Sequence, residues 1–272
     1  MPLHLQLHTQ PEVPLEADCI CPDKLQSMKN EDISSLIVFH GNRQVQLGDF
    51  FDCKGNFDGE IIIDGNLENI KHVGALMSFG KILVNGNIGL HTGAVMSGGE
   101  IIIEGNASDW LGAEMLGGKI TVKGNAGHMT GSGYRGSSIG MQGGEIIVHG
   151  NVKNETGHVM RRGLIAVGGD SGDFTGVNMV AGTIIVLGKM GIRTGAGMKR
   201  GSIISFNKAE ILPTFSRNCE YHPSFIKFYV SYLEKNGFSI DSSFLDKPFE
   251  RWSGDSVELN RGEILLSTNK IK

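Results

Sequence analysis

A short apolar run framed by glycine returns along more than half of this chain. The first five copies, from residues 59, 80, 99, 118 and 144, read GEIIIDGN, GKILVNGN, GEIIIEGN, GKITVKGN and GEIIVHGN. Weaker copies, GLIAVGGD, GTIIVLGK and GSIISFNK, begin at 163, 182 and 201. The intervals are 21, 19, 19, 26, 19, 19 and 19 residues. Such a period is typical of a solenoid, in which each repeat buries its apolar face against the next.

Each repeat has the pattern of one strand and one turn. Alternate residues within the apolar run would point to the same side, which predicts a strand with one buried face. The closing Gly-Asn predicts a turn, because both residues tolerate the left-handed backbone region. We therefore predict an all-β fold, a right-handed parallel β-helix of about eight coils of mostly 19 residues, with a short C-terminal α-helix and tail. The predicted segments are 1–58 (N-terminal strand and cap), 59–209 (repeats) and 210–272 (helix and clasping tail).

Two columns of equivalent positions support this register. The first outward position alternates in charge through Glu60, Lys81, Glu100, Lys119 and Glu145, which favours side-by-side stacking. The second column has a methionine three residues before the next strand glycine, at Met77, Met96, Met115, Met141, Met160, Met179 and Met198. Methionine fills irregular spaces in protein cores, so we interpret this column as core or corner filling.

The middle position of each strand should face outward, yet it is mostly apolar. It is occupied by Ile62, Leu83, Ile102, Thr121, Ile147, Ala166 and Ile185. Such a column predicts a covering layer. The segment PSFIKFYVSYLEKNG from Pro223 has Phe225, Phe228, Tyr229, Tyr232 and Leu233 at helical spacing and ends at Asn236-Gly237, so we expect a helix there that covers part of the column.

The 26-residue interval contains an insertion, GSGYRGSSIG, where Tyr134 stands in place of the expected methionine. Loops on a rigid stack of repeats often make functional contacts. Basic residues also recur after two methionines of the column, and with Arg135 they would form a cationic strip for an extended polyanion. An ordinary solvated corner is the alternative. The candidate binding residues are Tyr134, Arg135, Arg161, Arg162, Lys199 and Arg200.

Other features argue against several classes of function. Net charge is -4, which does not suggest a nucleic-acid-binding protein. The four cysteines and nine histidines have no metal-ligand spacing, so we expect no metal site. No apolar run is long enough for a membrane span, and a reducing cytoplasm is the expected location. The GxGxxG at 131–136 lacks the following helix of a dinucleotide site, and we find no catalytic constellation.

Several longer motifs resemble the C (gamma) subunits of formylmethanofuran dehydrogenase and of the formyltransferase/hydrolase complex of methylotrophs. They are VPLEAD at 13–18, LGDFF at 47–51, DWLGAEMLGGKITVKGNAGH at 109–128, YRG at 134–136, MRRGLIAVGGDSGDF at 160–174 and AGTIIVLG at 181–188. The C-terminal domain of glutamate synthase is a more distant likeness.

The resemblance implies a non-catalytic subunit of a cytoplasmic one-carbon complex that converts formyl-tetrahydromethanopterin through a formylated furan cofactor to formate. The implied partners are the A, B and D subunits: a zinc amidohydrolase-like, a molybdopterin-protein-like and a formyltransferase chain. The implied cofactor is methanofuran or methylofuran, whose glutamate-rich tail would suit the basic strip. Two alternatives stay open: a subunit of the molybdenum or tungsten dehydrogenase of methanogenesis, and a free-standing formyl hydrolase or transferase acting at the Tyr134 insertion.

Overall fold

The computed structural model describes residues 2–241, 244 and 246–268. The last four residues of the predicted C-terminal segment, 269–272, lie outside this range. Strands predominate among the described residues, helices are few, and thirteen strands form one mostly parallel sheet. The predicted all-β class is confirmed at this level, whereas the right-handed winding of the repeats into a β-helix stays a prediction. No helix in this part of the chain is long and apolar enough to span a bilayer.

The strands in chain order are β1 (Leu3–Leu7), β2 (Leu15–Glu16), β3 (Ile37–His40), β4 (Arg43–Gln46), β5 (Phe51–Lys54), β6 (Glu60–Asp64), β7 (Ile70–Lys71), β8 (Lys81–Asn85), β9 (Glu100–Ile103), β10 (Lys119–Val122), β11 (Glu145–Val148), β12 (Leu164–Val167), β13 (Thr183–Val186), β14 (Arg200–Ser205), β15 (Ser216–Tyr221), β16 (Phe249–Gly254) and β17 (Arg261–Ser267). The helices are α1 (Pro22–Leu25), α2 (Asn30–Ser34) and α3 (Ile226–Lys235), with a 3₁₀ turn at Leu47–Asp49.

The eight repeats contribute strands β6 and β8 to β14, which pair in parallel with equivalent residues opposite each other. Glu60 lies opposite Lys81, and Lys81 opposite Glu100, as the charge column predicts. Outside the sheet, isolated parallel bridges such as Leu67 to Ile88 join further equivalent positions of successive repeats. Neighbouring repeats therefore contact each other on two sides.

The interior is built from alternate strand residues and the methionine column. Ile101 and Ile103 are fully buried, as are their equivalents in the other repeats. All seven methionines of the predicted column are also fully buried. The core-filling interpretation of the column is confirmed.

The asparagines that close the early repeats act differently from the prediction. The Oδ1 atom of Asn87 accepts a hydrogen bond of 2.8 Å from the backbone N–H of Asn106, and Asn106 accepts the equivalent bond from Asn125. None of these three has a positive φ. Asparagine is used here because its side chain satisfies a backbone donor of the next repeat, not because it tolerates a left-handed turn.

Both ends of the chain extend the sheet of repeats. β1 pairs in parallel with β6, and β17 pairs in parallel with β14 before β16 and β15 add antiparallel strands. A second, four-stranded sheet in the N-terminal region has the order β4-β3-β2-β7. The large sheet runs without a break across both predicted segment boundaries, which stay predictions.

The predicted C-terminal helix is confirmed as α3, and it covers part of the outward apolar column. Ile226, Val230 and Leu233 of α3 are buried in one cluster with the outward residues of β11 to β14. Phe228, which the sequence places on the apolar face, is instead 79% exposed. The helix packs through positions spaced by four and three residues, and Phe228 lies on the opposite side of that stripe.

Candidate functional site

Each repeat turns a corner through alternating residues with left-handed backbone. In one repeat these are His91 (φ 62°), Gly93 (φ 65°) and Val95 (φ 57°). Left-handed φ costs an ordinary residue about 1–2 kcal/mol. Hydrogen bonds between repeats stabilise this backbone conformation. The N–H of His91 donates to the backbone carbonyl of Asp109, and the N–H of Val95 donates to that of Ala113. The corner is therefore defined by the stack, and it turns side chains of successive repeats into outward rows.

The middle corner residue has to be glycine for steric reasons as well. A Cβ at Gly112 would lie 2.6 Å from Cδ1 of Ile146, inside the core. This close approach brings the corner against the interior strands.

One outward row is aromatic in the early repeats. The rings of His72 and His91 stack with centroids 4.7 Å apart, and His91 lies 5.4 Å from Trp110. The seven-residue insertion adds Tyr134 to this row, with its ring 5.5 Å from that of His91. Its hydroxyl lies 3.3 Å from Nδ1 of His91.

The insertion leaves the stack after Gly133 and returns at Gly140. The backbone N–H of Tyr134 donates to Oε1 of Glu114 at 3.2 Å, and the N–H of Gly140 donates to the carbonyl of Val159 at 3.0 Å. Arg135 is exposed at the outer part of the loop. Tyr134 thus folds back over earlier repeats, while Arg135 projects into solvent.

Tyr134 closes one side of a cleft of about 450 Å³. The other walls come from the N-terminal segment and the first corners: Glu16, Asp18, Phe39, His72, Ala75, Leu76, Ala94 and Val95. Burial lowers the pKa of His91 to about 4, helped by the nearby His72 and Lys71. Burial likewise raises the pKa of Tyr134. At neutral pH the pair is therefore an uncharged imidazole beside a protonated phenol.

The predicted basic residues lie at the corner of the later repeats. Arg161, Arg162, Lys199 and Arg200 are all exposed. The backbone N–H groups of Arg161 and Lys199 donate to Met141 and Met179, so these two residues occupy equivalent positions two repeats apart. Strand spacing puts that separation at about 10 Å. The regular spacing of the predicted strip is thus present.

A further basic residue, Arg261, lies beside the predicted strip. β17 pairs with β14 so that Arg261 is directly opposite Arg200. Sequence reasoning missed it because it follows Arg200 by 61 residues and lies outside the repeats. The signal was the C-terminal RGEILLS, which copies the RGSIIS that contains Arg200.

The structure separates the six predicted residues into two groups. Arg161, Arg162, Lys199 and Arg200 share the later corner. Tyr134 and the exposed Arg135 lie in the insertion. Tyr134 contacts His91 and Glu114 of earlier repeats, and no contact in the described part of the chain joins it to the strip.

No group of three or more His, Cys, Asp or Glu residues within the described ranges could hold a metal ion. The four cysteines are free thiols, and burial raises the pKa of Cys19 to about 12 and that of Cys21 to about 11. Neither thiol is a nucleophile at neutral pH. The arrangement offers two binding surfaces, namely a cleft lined by apolar, aromatic and two acidic residues, and a cationic strip.

Comparison with known proteins identifies close relatives. The family model of the GXGXG motif matches residues 81–222, more than half of the chain. A segment of 86 residues, 30% of this chain, is 44% identical to the C subunit of the tungsten-containing formylmethanofuran dehydrogenase 2 of Methanothermobacter thermautotrophicus. Another of 81 residues, 29% of this chain, is 44% identical to the C subunit of the molybdenum-containing formylmethanofuran dehydrogenase 1 of Methanothermobacter marburgensis. These matches span only 32% and 20% of the relatives' own length.

A solved structure resembles the whole chain. It is the formyltransferase/hydrolase complex (FhcABCD) from Methylorubrum extorquens in complex with methylofuran. The match is to one chain of that complex. It covers 98% of the present chain and 100% of the matched chain, with a TM-score of 0.90 and 29% sequence identity. The chain therefore belongs to the GXGXG motif family and is homologous to the C subunit of formylmethanofuran dehydrogenase.

Proposed function

We propose that this chain is a non-catalytic scaffold that also binds the tail of a furan cofactor. It would serve in a cytoplasmic one-carbon complex that converts formyl-tetrahydromethanopterin through a formylated furan cofactor to formate. The observation that carries this proposal is the full-length likeness to a chain of a complex that contains methylofuran, at a TM-score of 0.90.

The stacking of the repeats supports the scaffold role. We propose that they wind as a right-handed parallel β-helix of about eight coils. Equivalent residues then form straight rows on a rigid body, and the rows provide docking surfaces for other subunits. The proposed partners are the A, B and D subunits of the complex.

The tail-binding role rests on the cationic strip. Guanidinium groups match carboxylates with paired hydrogen bonds, so a glutamate-rich tail has the right chemistry for Arg161, Arg162 and Arg200. Among the described residues, no ion pair involves these three arginines. They are therefore free to donate hydrogen bonds to the carboxylates of methanofuran or methylofuran. Tyr134 and Arg135 would contact the tail or a neighbouring chain of the complex at the cleft.

Replacing Arg161 and Arg162 together with alanine tests this proposal. The purified complex should retain less furan cofactor, measured by mass spectrometry of the extracted cofactor per complex. The same substitution at Arg43, an exposed arginine of β4, is the control and should leave occupancy unchanged. Full cofactor occupancy in the double variant would refute the tail-binding role.

Two alternatives lead to different experimental results. The 44% identical segment favours the molybdenum or tungsten dehydrogenase version, which would co-purify with molybdopterin and iron–sulfur subunits. The Tyr134–His91 contact, beside the cleft that Tyr134 lines, is the observation that supports a formyl hydrolase or transferase. In that case the isolated chain should turn over formylated cofactor, and Tyr134→Phe should abolish turnover. Turnover without partners would overturn the non-catalytic role.

A further inference from the structure

We propose that Arg261 completes the cationic strip and that the Arg200–Arg261 pair is its tightest carboxylate-binding position. The ligand is an extended polycarboxylate chain. This inference rests on the proposed function, because the chain in question is the glutamate-rich tail of the furan cofactor.

The register of β14 and β17 places the two arginines side by side. They are opposite each other in a parallel pair that stays in register to Ser205 and Leu266. Neighbouring strands lie about 4.8 Å apart, and paired residues in such a ladder point to the same face. Both arginines are exposed to solvent, whereas Ile204 and Leu265, four residues further along each strand, are buried beneath α3.

Two carboxylates in this part of the fold already have other partners. Glu263 accepts hydrogen bonds from Oγ of Ser202 at 2.7 Å and from Nε of Arg251 at 2.9 Å. Glu258 lies 3.9 Å from Nζ of Lys199. No ion pair within the described part of the chain involves Arg200 or Arg261. Like charges directly opposite each other on neighbouring strands are destabilising, so a bound carboxylate would relieve their repulsion.

The spacing of the arginines from Arg162 to Arg261 matches the carboxylate spacing of an extended polyglutamate chain. Through the pairing of β12, β13 and β14, Arg162 is equivalent to Arg200, with Ala181 between them. The row from Arg162 to Arg261 then spans three strand spacings, about 14 Å. In an extended polyglutamate, carboxylates on one side recur about every 7 Å. Two to three carboxylates could thus lie along the row. The small Ala181 leaves space for the ligand between Arg162 and Arg200.

The loop after β16 limits the strip at one side. Asp255 is buried and accepts hydrogen bonds from the backbone of Gly197 and Val257, which fastens the loop to the last corner. The loop places Glu258 beside Lys199. Glu258 would compete with the ligand for this lysine, so its removal should strengthen binding.

Binding of a fluorescently labelled hexaglutamate to the full chain, followed by anisotropy at low salt, tests the inference. Arg261→Ala should weaken binding about tenfold, the effect expected for one lost charge-assisted contact, and Arg261→Lys should weaken it less. Glu258→Gln should tighten it about twofold, as removal of one exposed counter-charge predicts. Arg43→Ala is the matched control for loss of one exposed arginine, and circular dichroism checks that each variant is folded.

The outcomes separate this inference from the proposed function. Hexaglutamate that binds the wild-type chain no better than hexaglutamine would overturn both. Wild-type binding that falls with Arg200→Ala but not with Arg261→Ala would overturn the role of Arg261 alone. In the assembled complex, Arg261→Ala should lower the cofactor content at unchanged subunit ratios. Loss of a partner chain with full cofactor content would assign Arg261 to an interface between subunits and refute the proposal.

Discussion

The early repeats, with strands β6 and β8 to β10, and the late repeats, with strands β11 to β14, have the same interior but different exteriors. Ile101 in the early half and Ile184 in the late half are both fully buried in the core. On the outer face, Ile102 is only half-buried, whereas Ile185 is 1% exposed because α3 covers it. The corners differ as well, since the early ones present an aromatic row and the late ones a cationic strip. A repeated sequence thus sets the core, while segments outside the repeats decide which part of the surface is free.

The largest expected effect compares the outer column in the two halves. Ile185→Ala should lower the free energy of unfolding by about 2–5 kcal/mol, because it leaves a cavity beneath α3. Ile102→Ala, the matched substitution on the uncovered half, should cost only about 1 kcal/mol, because less apolar surface is buried there. Urea denaturation measures both. Equal losses would show that the early column is also covered in solution, for instance by self-association.

The next effect concerns the attachment of α3 to the late repeats. The hydroxyl of Tyr232 donates to the carboxylate of Glu145, and Tyr232→Phe should cost about 1 kcal/mol. Burial, together with this bond, raises the pKa of Tyr232 to about 12. In the unfolded chain the phenol of Tyr232 ionises near pH 10. Its contribution to the free energy of unfolding is therefore complete below pH 10 and is lost as pH rises towards 12.

Urea denaturation between pH 8 and pH 12 checks this sign. Tyr232→Phe should show a weaker alkaline loss of stability than the wild-type chain. Tyr229→Phe, which removes another hydroxyl of α3, 3.1 Å from Oγ1 of Thr183, is the control for the loss of a phenol oxygen. The same alkaline loss in wild-type and Tyr232→Phe chains would contradict the prediction.

The smallest effect is expected at the early corner. Tyr134→Ala should uncover His91 and raise its pKa from about 4 towards its ordinary value near 6.5, because burial is the main cause of the depression. Tyr134→Phe keeps the ring and should leave the pKa low. A depressed pKa contributes stability above pH 6.5 that is lost as pH falls towards 4, so Tyr134→Ala should also reduce acid sensitivity.

Titration of the His91 ring by NMR distinguishes these variants. If His91 kept its low pKa in Tyr134→Ala, the stacked His72 and Trp110 alone would account for its burial. The insertion would then contribute no cover to His91.

Much of the repeat architecture could be predicted because it is local and periodic. The strand positions, the alternation of Glu60 and Lys81, the methionine column and α3 all follow from spacing within about 20 residues. The role of asparagine in the ladder was missed, since Gly-Asn has the same signature in an isolated turn. The exposure of Phe228 was missed because composition does not specify which face of a short apolar helix docks.

The candidate site shows the same division. The equivalent positions of Arg161 and Lys199 could be read from the repeat period. The proximity of Arg261 to Arg200 could not, because it depends on β17 returning to the edge of β14 over a long connection. The contact of Tyr134 with His91 likewise spans 43 residues and needs the insertion to fold backwards over two repeats.

The sequence by itself determined the period, the buried rows and the family likeness, since each depends on residues at a fixed spacing along the chain. Only the tertiary structure decided which outer surfaces remain open and which distant residues meet there. The physical reason is that stacking depends on side chains that repeat, whereas the course of the two ends and of the insertion depends on single contacts that occur once.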